Sequence, residues 1–127
     1  MPKFSSRSKQ RLATCTPGIQ KVMETAILHY DFTVICGYRD EVDQNAAFNS
    51  GHSRVKFPNS HHNKYPSRAI DIAPWPIDWD DTISFYKQAA YILEVAGQLG
   101  IKLRWGGNWG IRKVCRLTDL PHFQEVL

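Results

Sequence analysis

An aspartate stands at the centre of Ala69-Ile70-Asp71-Ile72-Ala73, a segment that otherwise reads as buried and apolar. A carboxylate taken out of water is costly unless a cation, a metal ion or several donors meet it. Arg68 or Arg104 would be the ordinary partner, and a salt bridge is a sufficient reading of Asp71 alone. Two histidines open another. His62 lies in Ser60-His61-His62-Asn63 and His122 in Asp119-Leu120-Pro121-His122-Phe123, at spacings of nine and fifty-one residues from Asp71. Two neutral imidazoles and a carboxylate are the donor types of a catalytic zinc site, which takes three protein ligands and leaves the fourth position to water. Such wide spacing is no local metal knuckle, so composition leaves metal centre and salt bridge both open.

The elements that would carry these residues follow from periodicity and punctuation. Thr16-Pro17 caps a helix over 16–30, with Ile19, Val22, Met23, Ala26, Ile27 and Tyr30 at helical spacing. A strand over 32–36 is closed by Gly37 and delivers Tyr38 and Arg39 to its end. Asp40 caps a second helix through 49, ended by Ser50-Gly51, and 52–68 is loop. A brief strand over 69–73 is bounded by Pro74 and Pro76. The longest helix covers 81–99, strands cover 101–105 and 121–126, and Gly106-Gly107 makes a turn. Without a βαβ rhythm this is an α+β fold, a small antiparallel sheet with flanking helices.

The 127 residues suit one catalytic domain spanning 1–127, large enough for a core. Sixteen basic against twelve acidic side chains give a net charge of +4, a mild bias toward anionic partners. The basic residues form no stripe and no nucleic-acid-binding motif, so a nucleic-acid role is not expected. Three scattered cysteines, Cys15, Cys36 and Cys115, lack any C-x-x-C spacing and read as reduced structural thiols. No apolar run approaches the roughly 18 residues of a membrane span, and the N-terminus has no apolar signal region, so synthesis as a soluble chain is expected.

The pattern Ser60-x-His62 followed by Ala69-x-Asp71, then Asp119-x-x-His122 near the end, resembles the zinc peptidase family of D-alanyl-D-alanine carboxypeptidases, D-Ala-D-Ala dipeptidases and phage L-alanyl-D-glutamate endolysins. Gly37-Tyr38-Arg39 looks like the family's Gly-x-Arg, and Arg104-Trp105-Gly106-Gly107-Asn108-Trp109 like its Gly-Gly-Asp-Trp turn. The resemblance implies a hedgehog/DD-peptidase-like fold, Zn2+ held by His62, Asp71 and His122, and Asp119 as catalytic acid/base. Arg39 would stabilise an oxyanion or hold a substrate carboxylate, or else pair with Asp40 or Glu41. The segment 63–68 lengthens the loop between the first two ligand motifs and leaves His61 as an alternative to His62. Asn108 and Gln124 stand where the family often has acids, which implies a weakened supporting role there. Tyr65, Trp75, Trp79, Trp105 and Trp109 would wall a cleft or fill the core.

The implied activity is a monomeric peptidoglycan hydrolase, most like a single-domain phage endolysin cutting L-alanyl-D-glutamate bonds of the stem peptide. It would be made in the host cytoplasm and act on the wall once the membrane is permeabilised, with no membrane insertion of its own. A D-alanyl-D-alanine carboxypeptidase or dipeptidase is the alternative, and an inactive wall-binding relative the third reading.

Overall fold

In the computed structural model, which describes residues 2–111 and 119–127, four helices pack on a four-stranded antiparallel sheet. The helices are α1 (Ser6–Leu12), α2 (Pro17–Ala26), α3 (Glu41–Asn49) and α4 (Thr82–Gln98). The strands are β1 (Phe32–Cys36), β2 (Ala69–Pro74), β3 (Leu103–Trp105) and β4 (His122–Glu125), in the order β1-β2-β4-β3. The α+β class and the antiparallel sheet are therefore as the sequence implies. Among the described residues no helix is long and apolar enough to cross a membrane.

Strand alternation sorts the sheet into two faces. Ile70 and Ile72 of β2 and Phe123 of β4 are fully buried with Ile19, Val22 and Met23 of α2 and Ile92 of α4, which is the core. Asp71, His122 and Gln124 occupy the other face. Because β2 is central and β4 pairs with it, Asp71 lies directly opposite His122 and Gln124 opposite Ala69. On the other side of β2 the register slips between Val34 and Cys36, so that Cys36 comes opposite Asp71. That bulge re-aims the end of β1 toward the polar face.

The differences from the sequence expectation are local. The helix expected over 16–30 ends at Ala26, with Ile27 as its cap and 28–30 in turns. Helix α1 was not anticipated, because only Ser8 and Leu12 of its seven residues are buried and the segment carries little apolar periodicity. Its Ser5 cap accepts from Ser8 N, and Ser8 Oγ meets Thr33 Oγ1 at 3.0 Å, which ties the helix to β1. Residues His61–Asn63 form a 3-10 turn, and Gly106–Ile111 a second one where a plain turn was expected. Cys15 is buried, and burial pushes its thiol up to about 12. Cys115 and the side chain of Trp109 lie outside what the structure describes.

A side-chain hydrogen bond also fastens the C-terminal strand to α2. Thr16 caps the helix, its Oγ1 accepting from Ile19 N while its hydroxyl donates to Glu125 Oε1 at 2.5 Å. Gly18 admits that carboxylate, since a Cβ there would collide with it. The negative charge sits at the first turn, where the helix dipole favours it. Thr16→Ala removes the cap and strands Glu125. It should cost about 1–2 kcal/mol, a fall of roughly 3–8 °C in Tm by thermal denaturation. An unchanged Tm would contradict this placement.

Candidate metal centre

The register of the sheet sets Asp71 opposite His122, and the 3-10 turn at His61–Asn63 brings His62 to the same place. Asp71 Oδ1 lies 3.2 Å from His122 Nδ1 and 3.4 Å from His62 Nε2, and the two rings meet edge to face with centroids 5.1 Å apart. It is His62, buried, that reaches Asp71; His61 is exposed. The reason is the 3-10 turn, which Ser60 caps by accepting from His62 N at 3.1 Å while Asn63 Oδ1 accepts from Ser60 N at 3.0 Å. Ser60 therefore has a turn role.

The ring nitrogens are held in complementary states. His62 Nδ1–H donates to Gly37 O at 2.7 Å, which turns the Nε2 lone pair toward Asp71. His122 Nε2–H donates to Gln124 Oε1 at 2.9 Å, which turns Nδ1 toward Asp71 and Asp119. Two lone pairs and a carboxylate thus converge, an arrangement that repels itself until a cation enters. Burial opposes a charged His62. The Asp71 charge and hydrogen bond, with Cys36 beside the ring, outweigh it and push the His62 pKa up to about 10. Burial likewise works against ionised Asp71, yet the two histidines hold it well below the ordinary carboxylate range.

Two of the donor separations, those from Asp71 Oδ1, suit a small divalent metal. With metal–ligand bonds of about 2.0–2.1 Å, tetrahedral donors are spaced about 3.3 Å apart, close to the two distances measured from Asp71 Oδ1. Two overlapping groups of candidate ligand atoms, each within 4.8 Å of one another, share Asp71: it joins Cys36 and His62 in one, Asp119 and His122 in the other. Cys36 Sγ stands 3.9 Å from the Nδ1 edge of His62, the edge already committed to Gly37 O. Asp119 Oδ2 is 3.8 Å from His122 Nδ1 and its side chain is 43% exposed, so it faces both the metal site and solvent. Burial, and then the charge of Asp71, raise the Asp119 pKa against the pull of His122, His62 and Arg39.

Arg39 corrects the expected partners of Asp71. Neither Arg68 nor Arg104 makes the ion pair; Arg39 Nη2 does, at 3.6 Å from Asp71 Oδ2. Arg39 does not pair with Asp40 or Glu41 either, since Nη1 donates to Gln44 Oε1 at 2.9 Å and Nη2 also points at Cys36 Sγ at 3.6 Å. Gln44 is fully buried, and its Nε2 donates to Ser53 Oγ and Val55 O, both at 2.8 Å. Asn63 Nδ2 donates to Arg39 O and to Gln44 Oε1, and Arg39 N to His62 O. Gln44, Asn63 and Gln124 are the site-building residues that the sequence reading missed or discounted. Asn63 carried one signal, the S-x-x-N spacing of a capping box.

Asp119 is placed by its backbone. Its N–H donates to Gly106 O at 3.1 Å, its carbonyl accepts from His122 N at 3.2 Å, and Pro121 O accepts from Ile72 N at 3.0 Å. A Cβ on Gly106 would run into the Asp119 carbonyl oxygen. Trp105 completes the support by donating Nε1–H to Leu120 O at 2.7 Å, and Tyr86 packs edge-on against its ring. Of the described aromatics Trp105 is buried, whereas Tyr65, Trp75 and Trp79 are exposed. Asn108, His29 and His52 are exposed as well. The metal geometry can be checked by titration with a chelator in competition. His62→Ala and Asp71→Ala should lose tight metal binding and His61→Ala should keep it; the reverse order for the two histidines would overturn the assignment.

Three comparisons each found similar proteins. The family model described as phage L-alanyl-D-glutamate peptidase matches residues 1–124. The L-alanyl-D-glutamate peptidase of Escherichia phage T5 is 36% identical over 112 residues, 84% of this chain and 81% of that protein. The crystal structure of the Serratia marcescens L-Ala D-Glu endopeptidase ChiX is similar with a TM-score of 0.78 at 26% identity, covering 98% of this chain and 91% of that one. The chain belongs to the phage L-alanyl-D-glutamate peptidase family.

Proposed function

We propose that the protein is a zinc-dependent endopeptidase of bacterial peptidoglycan, a phage endolysin that cleaves the L-alanyl-D-glutamate bond of the stem peptide during host lysis. The observation that carries this reading is the convergence of two oriented imidazole lone pairs on the Asp71 carboxylate beside an accessible second carboxylate, Asp119. Family membership and the names of the T5 and Serratia relatives supply the substrate. The protein acts as a monomer on wall peptide. It is made in the host cytoplasm and reaches the wall after the membrane is permeabilised.

His62, Asp71 and His122 would hold the zinc, whose bound form supplies a polarised carbonyl and a water acidic enough to ionise near neutral pH. Asp119, 3.8 Å from His122 Nδ1, then takes a proton from the attacking water and returns it to the leaving amine. Its half-exposed position lets it reach both substrate and water. Arg39 anchors Asp71, and its place at the end of β1 suits it to hold a substrate carboxylate or the developing oxyanion. The exposed Tyr38 and Tyr65, in edge-to-face contact at 5.3 Å beside the Arg39 and His62 segments, offer the peptide an aromatic wall.

Measuring bound zinc and the amino groups freed from purified peptidoglycan separates the roles. His122→Ala should lose metal and activity together. Asp119→Asn should keep metal and lose roughly 10²–10⁴-fold in kcat, and full turnover by it would sink the acid/base assignment. Gly106→Ala should also keep metal yet lose on the order of 10²-fold, because it displaces the Asp119 backbone. An unaffected Gly106→Ala would show that this close approach does not position the base. New N-terminal D-glutamate identifies the proposed bond, whereas freed D-alanine would favour a carboxypeptidase.

A further inference from the structure

We infer that Gln124 is a positioning residue for His122: its carboxamide oxygen accepts the Nε2–H and thereby presents the Nδ1 lone pair to the ion as a neutral imidazole. The inference rests on the metallopeptidase reading and adds to it a residue whose sequence position suggests a lost function. Residues 122 and 124 of β4 share the polar face of the sheet, and Ala69, directly across from Gln124, leaves that side of β2 bare. The carboxamide fills the space and brings Oε1 to 2.9 Å from Nε2. Phe123 and Glu125, on the opposite face, fix the strand by core burial and by the Thr16 contact, so the Gln124 side chain is not what holds β4 in place.

The chemical type of the acceptor has its own consequence. Outer partners of metal-bound histidines are commonly carboxylates or carbonyls. A carboxylate draws the Nε2 proton toward itself and makes the imidazole a stronger donor, which lowers the demand of the ion for electrons from its water. An amide oxygen accepts the proton without taking it. Gln124 therefore sets the ring's tautomer while leaving the bound ion strongly electrophilic. His62 is treated the same way, its Nδ1–H given to the neutral Gly37 carbonyl. Both imidazole ligands thus have neutral outer acceptors, and the Asp71 carboxylate is the one anionic donor among the three.

The test compares wild type, Gln124→Ala and Gln124→Glu in three measurements: zinc affinity against a chromophoric chelator, Tm of the metal-free proteins, and the pH dependence of peptidoglycan hydrolysis. Gln124→Ala should bind zinc 10–100-fold more weakly, with the metal-free Tm lowered only by the few degrees that one lost hydrogen bond costs. Gln124→Glu should recover at least wild-type affinity, with the acid limb of its pH–rate profile moved to higher pH. Wild-type affinity in Gln124→Ala would overturn the inference, as would Gln124→Glu binding no better than Gln124→Ala. A metal-free Tm that collapses in Gln124→Ala and is not restored in Gln124→Glu would make the role merely structural and overturn it too. If the affinities follow the expected order while wild-type protein frees no amino groups from peptidoglycan, the peptidase reading fails and the placement of Gln124 stands.

Discussion

The Asp71 carboxylate, only 15% exposed in the central strand of the sheet, is the charge around which the rest of the structure is arranged. Each neighbouring element contributes something to it. Strand β4 places His122 opposite, the bulge in β1 turns Cys36 to the same face, the 3-10 turn at His61–Asn63 brings His62, and the end of β1 brings Arg39. Arg39 offsets part of the negative charge at 3.6 Å, but its guanidinium is shared with Gln44 and Cys36. The remaining demand for positive charge lies between Asp71 and two imidazole nitrogens, each fixed by its own hydrogen bond on the far side of the ring.

The frame divides the labour between its two faces. Apolar burial of Ile70, Ile72 and Phe123 against α2 and α4 holds β2 and β4 in register. A one-residue slip would send the polar set into the core and the isoleucines into the site. Register is therefore enforced by hydrophobic burial, and Asp71 and His122 inherit their geometry from it. Asp119 is governed differently. It depends on the close approach of the 119–122 turn to Gly106 and on the Trp105 indole, so Asp119 can be disturbed separately from His62 and Asp71.

Much of this was legible in the sequence. Asp71 within an apolar strand, and the short Asp119-x-x-His122 segment, have signatures that survive without a structure, because an expensive charge and a ligand-plus-base turn each leave a local mark. The main strands and helices were visible from periodicity. Less visible were α1, which buries two side chains, and the 3-10 turn, which chooses His62 over His61 by a twist of three residues. Of the network through Gln44, Asn63 and Gln124, only the capping-box spacing of Asn63 left a mark in the sequence. Its members are neutral amides, and Gln44 lies fully buried on a helix with little amphipathic pattern, its partners Ser53, Val55 and Asn63 coming from the loop that follows. Gln124 looked like the loss of an acid, whereas in the structure it caps a ligand histidine.

The central claim is that the cation this carboxylate requires is a zinc ion bound by His62, Asp71 and His122, with Cys36 turned to the outer edge of His62. X-ray absorption at the zinc edge of the loaded wild-type protein tests it most directly. The account predicts a four-coordinate first shell of nitrogen and oxygen at about 2.0–2.1 Å, with two imidazoles and no sulfur. A scatterer at about 2.3 Å, the zinc–thiolate distance, or a shell containing fewer than two imidazoles, would contradict it.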